Sequence, residues 1–419
     1  MSFFKINKTR FQKISVLVFL IIIVYFSASN REQPLLWLMA ALLFASLVAG
    51  LVWPYWLMHN LSVNRTGPDR AKEGEAVKFK VEITNFGWMP RFMIEVVDKL
   101  PFVRGSQAID SKVEKTLGVV AYIRAGKTQT FEAQIICENR GYYQLGPVSL
   151  LSSFPLGLTE VRQIKKGNSE FLIVYPRVFP ILSLPLLGCP DEIHRGEAFL
   201  PEGSGVAEFS GLREYRHGDN PRHVHWLATA RANELMVMEF EPLASASMCM
   251  VMDISKSANV GLGNHASFEY AVQIAASIGQ FACNKNIPLQ MQGISDLTMG
   301  QVMATGERHF QKILDTLAIV EAKVNMSYFE ELQKVAINCR YGQTIVVFLS
   351  QPESEIDTIL QALFQLQARG ARVLAMVFDR ETFLDKKAGN SRYLQGLSEL
   401  GIPYFNIHKH DNLTELFNQ

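Results

Sequence analysis

The sequence is short of charge and of cysteine, and it has no excess of either sign. Only 19% of its 419 residues are charged, against the roughly 25% usual for a soluble domain. Its 41 Lys and Arg nearly cancel 40 Asp and Glu, leaving a net charge of +1. A dedicated nucleic-acid binder would show a basic surplus, so no nucleic-acid partner is expected. Disorder needs low hydrophobicity or a large charge excess, and a chain that is 48% hydrophobic has neither. Five cysteines, an odd count in so long a chain, make no disulfide framework and fit free thiols in a reducing compartment. Internal repeats and low-complexity linkers are also missing.

What is present in excess is apolar sequence, and it sits at the front. Ile14 to Ala28 and Leu35 to Met58 carry no charge. A helix needs about 20 apolar residues to cross a bilayer core. The second run meets that length, and the first does so when counted from Phe11 to Ser29. Asn30 to Pro34 between them is a short polar turn, so the pair reads as a transmembrane hairpin. Trp37, Trp53, Tyr55 and Trp56 fall near the ends of the second run, where amphipathic rings prefer to lie. A signal peptide would end in a small-x-small cleavage site, and none is evident before the second run begins. Lys5, Lys8, Arg10 and Lys13 precede the hairpin and Arg65, Arg70 and Lys72 follow it, while the turn holds only Arg31. Both termini and the soluble domains are therefore expected in the cytoplasm.

The remainder has two textures. Residues 61–180 are strand-like. Val77, Phe79, Val81 and Ile83 alternate with Lys78, Lys80 and Glu82, the period of a half-buried strand. Turn signals recur at Glu73-Gly74, Ala125-Gly126, Asn139-Arg140-Gly141 and Lys166-Gly167-Asn168, which predicts a small β-sandwich. Residues 246–419 alternate strands with helices. Met248 to Met252, Thr344 to Leu349 and Arg372 to Phe378 are apolar runs. Phe268, Ala271, Ile274, Ala275, Ile278 and Ala282 recur at helical spacing. Buried parallel strands alternating with helices predict a doubly wound α/β domain. Residues 1–60 are thus the hairpin, and 181–245 a connecting segment.

Two segments carry chemistry. Asp253-Ile254-Ser255-Lys256-Ser257 follows the first α/β strand. Asp-x-Ser-x-Ser there opens a metal-ion-dependent adhesion site, as in von Willebrand factor A domains. Mg²⁺ takes oxygen ligands in an octahedron, and loops at the carboxyl ends of parallel strands converge on a switch point where such ligands meet. Asp253, Ser255 and Ser257 supply only part of the set. The pattern also asks for a Thr, for which Thr305 and Ser327 are the nearest offers, and for an Asp after the fourth strand, where Ser350-Gln351 stands. The alternative is a serine-rich loop capping the next helix.

The second segment is Gly211 to Glu241. Gly218-Asp219-Asn220-Pro221 reads as a turn delivering a helix with Pro221 at its first position. Arg213, Arg216, Arg222 and Arg231 surround Asp219 and Glu214 with Tyr215 and Trp226. Arginine forks bind carboxylates bidentately, so the segment is either a buried brace between domains or a surface for a protein partner. His217, Asp219, His223 and His225 have ligand types that suit zinc. His223 and His225, two apart on a helix, would face different ways, and no nucleophile or base is evident beside them.

The stretch Glu208-Phe209-x-Gly211-Leu212-Arg213-Glu214-Tyr215-x2-Gly218-Asp219-x2-Arg222-x-Val224-His225-Trp226-x2-Thr229-Ala230-Arg231-x2-Glu234-Leu235 closely resembles the signature of the bacterial "domain of unknown function 58" family. Asn139-Arg140-Gly141-Tyr142-x-Gln144-Leu145-Gly146-Pro147, Pro155-Leu156-Gly157-Leu158 and Val174-Tyr175-Pro176-Arg177 agree with it. Phe154 stands where an Asp usually precedes the Pro, and Gln351 departs from the last adhesion-site position. The resemblance implies a protein of the bacterial inner membrane with a von Willebrand factor A-like C-terminal half. It also implies a partnership with a MoxR-type AAA+ ATPase in maturing or assembling other proteins, and no catalytic residues. Gly211, Arg213, Tyr215, Gly218, Asp219, Arg222, His225, Trp226, Ala230 and Arg231 carry over as signature positions. A metal-dependent hydrolase built on the histidines is the competing expectation.

Overall fold

A computed structural model of the chain describes residues 2–4, 8–31, 33–103, 114–164, 170–185, 207–215, 224–232, 234–242, 247–293, 302–323, 327–386, 389 and 391–418. It divides into two compact units, Met1–Pro176 and Arg177–Gln419.

The first unit opens with a three-residue strand, β1 (Ser2–Phe4), then two helices, α1 (Lys8–Arg31) and α2 (Pro34–Met58). Pro34 starts α2 where its missing N–H costs nothing. The apolar stretches are Arg10–Asn30 and Pro34–Met58, of 21 and 25 residues, and both are long and apolar enough to cross a membrane. At 1.5 Å per residue the shorter spans about 32 Å, enough for a hydrocarbon core of about 30 Å. Their large side chains face outward, as Phe19, Phe26, Leu35, Leu42 and Phe44 do. Tyr25 and Trp37 meet edge to face at 5.5 Å beside the turn.

Ten strands follow: β2 (Leu61–Thr66), β3 (Arg70–Lys72), β4 (Ala76–Asn85), β5 (Arg91–Lys99), β6 (Glu114–Ile123), β7 (Thr128–Ile136), β8 (Gly141–Leu145), β9 (Ser149–Ser152), β10 (Val161–Ile164) and β11 (Glu170–Tyr175). They form three sheets, ordered β1-β10-β9-β5-β6, β3-β11-β8 and β2-β4-β7. The alternation read in β4 is physical: Val77, Phe79, Val81 and Ile83 are all buried on one face. That face spans two clusters. Val81 and Ile83 pack with Ile94, Val96, Val120 and Leu150, while Val77 and Phe79 pack with Phe102, Ile135 and Leu172. One sheet therefore covers the other two, in two layers. Inside lies a buried Arg65–Asp98 ion pair, with Glu170 also on Arg65 at 3.1 Å. The hairpin is seated on the turn before β10. Arg10 pairs with Glu160, and Thr159 Oγ1 donates to the Gly50 carbonyl in α2 at 3.0 Å. The Lys166-Gly167-Asn168 turn lies outside the described residues.

The second unit begins with an antiparallel ribbon of β12 (Ala207–Glu214) and β13 (Met236–Pro242) around a short helix, α3 (Trp226–Ala232). Then come β14 (Met248–Val251), α4 (Ser267–Asn284), β15 (Leu289–Gln292), α5 (Glu307–Ile319), α6 (Tyr328–Asn338), β16 (Thr344–Leu349), α7 (Ile356–Ala368), β17 (Arg372–Phe378), α8 (Arg380–Phe383), α9 (Ser391–Glu399), β18 (Tyr404–Ile407) and α10 (Leu413–Leu416). The five strands pair in parallel in the order β15-β14-β16-β17-β18. All six residues of β16 are buried, because a central parallel strand has both faces covered. On one face Val251, Val347, Leu349, Ala375 and Val377 pack under α6, α7 and α9. Met250, Val346, Phe348 and Met376 alternate with them and are equally buried. The order reverses between β14 and β16, so the topological switch point lies at their carboxyl ends.

Candidate functional site

The switch point is where the Asp-x-Ser-x-Ser loop lands. β14 ends at Val251, and Asp253 follows in the crevice, 6% exposed. β16 ends at Leu349, and Ser350 and Gln351 follow in the same crevice, both buried. Gln351 Nε2 donates to Asp253 Oδ2 at 2.6 Å. Ser255 N donates to Asp253 Oδ1 at 2.8 Å, and the Ser255 and Ser257 hydroxyls share a hydrogen bond of 2.9 Å. The orientation of Gln351 is fixed from its other end. Its Oε1 accepts from Ser350 N and from the Tyr393 hydroxyl, both at 3.1 Å, so the amide must present its N–H to the carboxylate.

Two further groups shape the crevice. The Tyr328 hydroxyl donates to the Val251 carbonyl at 2.7 Å and accepts from Phe348 N at 3.2 Å. It thus bridges β14 and β16 just past their last paired residues, Val251 and Val347. Arg380 stands at the end of β17. Its Nη1 donates to the Ser257 carbonyl at 2.8 Å and to the Ser350 carbonyl at 3.0 Å, joining the two loops. Ser350 Oγ adds a third stitch to the Ala258 carbonyl at 2.8 Å. Burial raises the Asp253 carboxyl above its ordinary value, against the Ser255 and Gln351 hydrogen bonds. Burial, and then the charge of Asp253, push the Tyr328 and Tyr393 hydroxyls up.

This arrangement does not fit Mg²⁺. The ion needs oxygen ligands, yet one oxygen of Asp253 faces an amide N–H and the other a backbone N–H. Thr305 and Ser327 are both exposed, and the hydrogen bonds of Asp253 go to Ser255 and Gln351 instead. Among the described residues no group of three or more His, Cys, Asp or Glu could hold a metal. The capping alternative also differs from what is seen. α4 starts only at Ser267, with Ala266 as its N-cap, so the Ser255–Ser257 loop caps nothing. Tyr328, Tyr393 and Arg380 were not visible as site residues, because only the folded sheet brings them to the loop.

The signature segment is described in part. Gly218, Asp219, Arg222, His217 and His223 lie outside the described residues. Pro221 also lies outside them, and the helix α3 is described from Trp226. The His225 Nδ1 accepts from Ala228 N at 3.0 Å, capping α3 as a side-chain acceptor would. Gly211 lies at a register shift in β12. Arg213 is half-buried and donates to the Glu214 carbonyl at 3.2 Å. Tyr215 N donates to the Leu235 carbonyl at 2.7 Å, closing the ribbon. Trp226, Ala230 and Arg231 are exposed, Trp226 by 71%.

These features define a class of protein: a β unit carrying two membrane-length helices, joined to a parallel α/β unit with a self-satisfied polar crevice. A family model described as "Protein of unknown function DUF58" matches residues 211–387, a span that holds α3, the crevice loops and Arg380. An uncharacterised protein of Bacillus subtilis (strain 168), YeaD, is 24% identical over 307 residues, covering 72% of this chain and 73% of that one. The CARDB domain of a Pyrococcus furiosus protein, solved in solution and as a crystal structure with di-metal ions, aligns with 27% of this chain. Those structures are covered by 94% and 86%, at 12% and 13% identity, with a TM-score of 0.18, far below a shared fold.

Proposed function

We propose that the protein is a membrane-anchored, non-enzymatic adaptor. Its α/β unit is read as von Willebrand factor A-like, and its partner as a MoxR-type AAA+ ATPase acting in the maturation or assembly of other proteins. The site is the bacterial cytoplasmic membrane, with both termini and the soluble units inside. One observation carries the reading. At the switch point, where an α/β enzyme would keep reactive groups for a ligand, Asp253, Gln351 and Tyr393 are bound to one another. The groups left outward belong to contact rather than chemistry: Arg380, held on two loop carbonyls, and the exposed Trp226 and Arg231. Aromatic and arginine side chains are the usual anchors of protein interfaces.

The test is co-purification of the full chain in detergent with a cognate AAA+ ATPase, with and without ATP. Nucleotide-sensitive association is expected, weakened by Trp226→Ala and Arg231→Ala without loss of fold. Recovery of neither the ATPase nor any other protein partner would defeat the proposal.

A further inference from the structure

A buried arginine of the β unit has no acidic partner among the described residues. Arg91 opens β5 and is only 5% exposed. Its Nη2 donates to the His59 carbonyl at 2.8 Å, but its Nε is buried with no hydrogen-bond partner. Burial lowers its pKa, with no neighbouring carboxylate to oppose the shift. An unpaired buried guanidinium is costly to fold around, so a protein that keeps one has a use for it.

Arg91 lines a cavity of about 570 Å³ together with Tyr55, Trp56, His59, Trp88 and Gln163. The cavity is built rather than incidental. Asn85, fully buried, accepts from Gly87 N at 2.9 Å and donates to the Met89 carbonyl at 2.8 Å. Those bonds hold the loop between β4 and β5 with Trp88 at its tip, 77% exposed and edge to face with Trp56 at 6.4 Å. A Cβ on Gly87 would fall 2.5 Å from Arg91 Nη2, so a larger residue there would push the guanidinium out of this position. The cavity also lies at the carboxyl end of α2. In the membrane reading above, on which this inference rests, that is the level of the headgroups, where Trp and Tyr prefer to lie.

We propose that this cavity binds a phosphate group, carried by a phospholipid headgroup, with Arg91 as its cation. The guanidinium fork matches phosphate oxygens. Trp56, Trp88 and Tyr55 wall the apolar remainder of the lipid, and the exposed Val48 and Val52 of α2 give its chains a track. The same chemistry would accept a free phosphate, so the test separates the two sources.

The full chain is purified in detergent and reconstituted into nanodiscs, then examined by native mass spectrometry with phosphatidylglycerol and, separately, with inorganic phosphate. The wild type is expected to retain phosphatidylglycerol. Arg91→Gln should retain it about tenfold less or weaker still, the loss of a charge-assisted pair. Because Arg91→Gln can disturb folding, Trp88→Ala at the exposed loop tip provides a second arm, with a smaller loss expected. Lipid retention that inorganic phosphate does not displace assigns the site to a headgroup. Binding of inorganic phosphate without lipid retention overturns that assignment, as does equal retention by the wild type and both variants. A chain that stays soluble without detergent and does not enter nanodiscs refutes the membrane reading itself, a separate result.

Discussion

Tyr328→Phe removes one oxygen from the centre of the α/β unit, and its consequence follows from the two bonds that oxygen makes. The hydroxyl is buried, donating to the Val251 carbonyl at 2.7 Å and accepting from Phe348 N at 3.2 Å. Phenylalanine fills the same space and leaves both backbone groups without a partner. A buried group orphaned in this way costs about 1–3 kcal/mol, so two cost about 2–6 kcal/mol unless β14 and β16 close on each other. Local opening of these strand ends then becomes about 30- to 20,000-fold more frequent, at roughly 1.4 kcal/mol per tenfold. The assay is hydrogen exchange of the full chain in detergent, read by mass spectrometry over residues 344–349. Faster exchange at Phe348 is expected, with little change in the β unit's peptides. If the strands instead close, exchange is restored but the crevice narrows, and the Arg380 contacts to Ser257 and Ser350 must shift. Exchange and thermal unfolding both identical to wild type, with the crevice unmoved, would refute the wedge role of Tyr328.

Three other predictions test separate parts of the molecule. Gln351→Asp replaces the amide that holds Asp253 with a second carboxylate, and two carboxylates suit a hard divalent ion. Mn²⁺ titration followed by electron paramagnetic resonance should show binding to Gln351→Asp and none to wild type; equal binding by both would show that the amide does not exclude the cation. In the β unit, Asp98→Leu takes the fully buried partner from Arg65 and leaves it only the partly exposed Glu170. It should destabilise by up to about 3–5 kcal/mol, less in so far as Glu170 still compensates the charge, whereas the double variant Asp98→Leu with Arg65→Met should cost less than the single one; additive losses would contradict this. Burial pushes the Cys137 and Cys249 thiols up from 9.0 to about 12. A thiol that ionises less readily when folded contributes stability that is whole below the unfolded value and lost as pH rises. Each should steepen the loss by about 1.4 kcal/mol per pH unit between about pH 9 and 12. Thermal melts of Cys137→Ala and Cys249→Ala across that window should show shallower pH dependence than wild type, and unchanged slopes would count against it.

Much of the fold was legible because its patterns are local. Val77, Phe79, Val81 and Ile83 alternate because one face of β4 is buried. Thr344 to Leu349 is continuously apolar because both faces of β16 are covered. The apolar helices were readable from length and absence of charge. The cap of α3 was not legible, because its acceptor is the His225 ring rather than a Ser, Thr, Asp or Asn side chain. The layering of three sheets in the β unit was not legible either, since a strand's pattern records that a face is buried and not what covers it.

The crevice shows why a motif fixes less than its geometry. Asp253, Ser255 and Ser257 have the spacing that a cation site requires, and the strand order delivers them to the switch point. Whether a cation can enter is decided 98 residues later, by Gln351. The Gln351 amide is in turn held in one orientation by Tyr393 and by the backbone at Ser350. Removal of the amide's far-end support should therefore act on Asp253 as well. Tyr393→Phe frees Gln351 Oε1 from one donor, so its side chain gains freedom to turn its carbonyl toward the carboxylate, which repulsion disfavours. The Gln351 Oε1 is then held by the Ser350 N–H alone, while Arg380 and the Ser350 hydroxyl still join the two loops. Tyr393→Phe should therefore raise divalent-cation binding at Asp253 no more than slightly, read by the same Mn²⁺ titration, and binding as strong as that of Gln351→Asp would show that Tyr393 rather than the amide keeps the cation out.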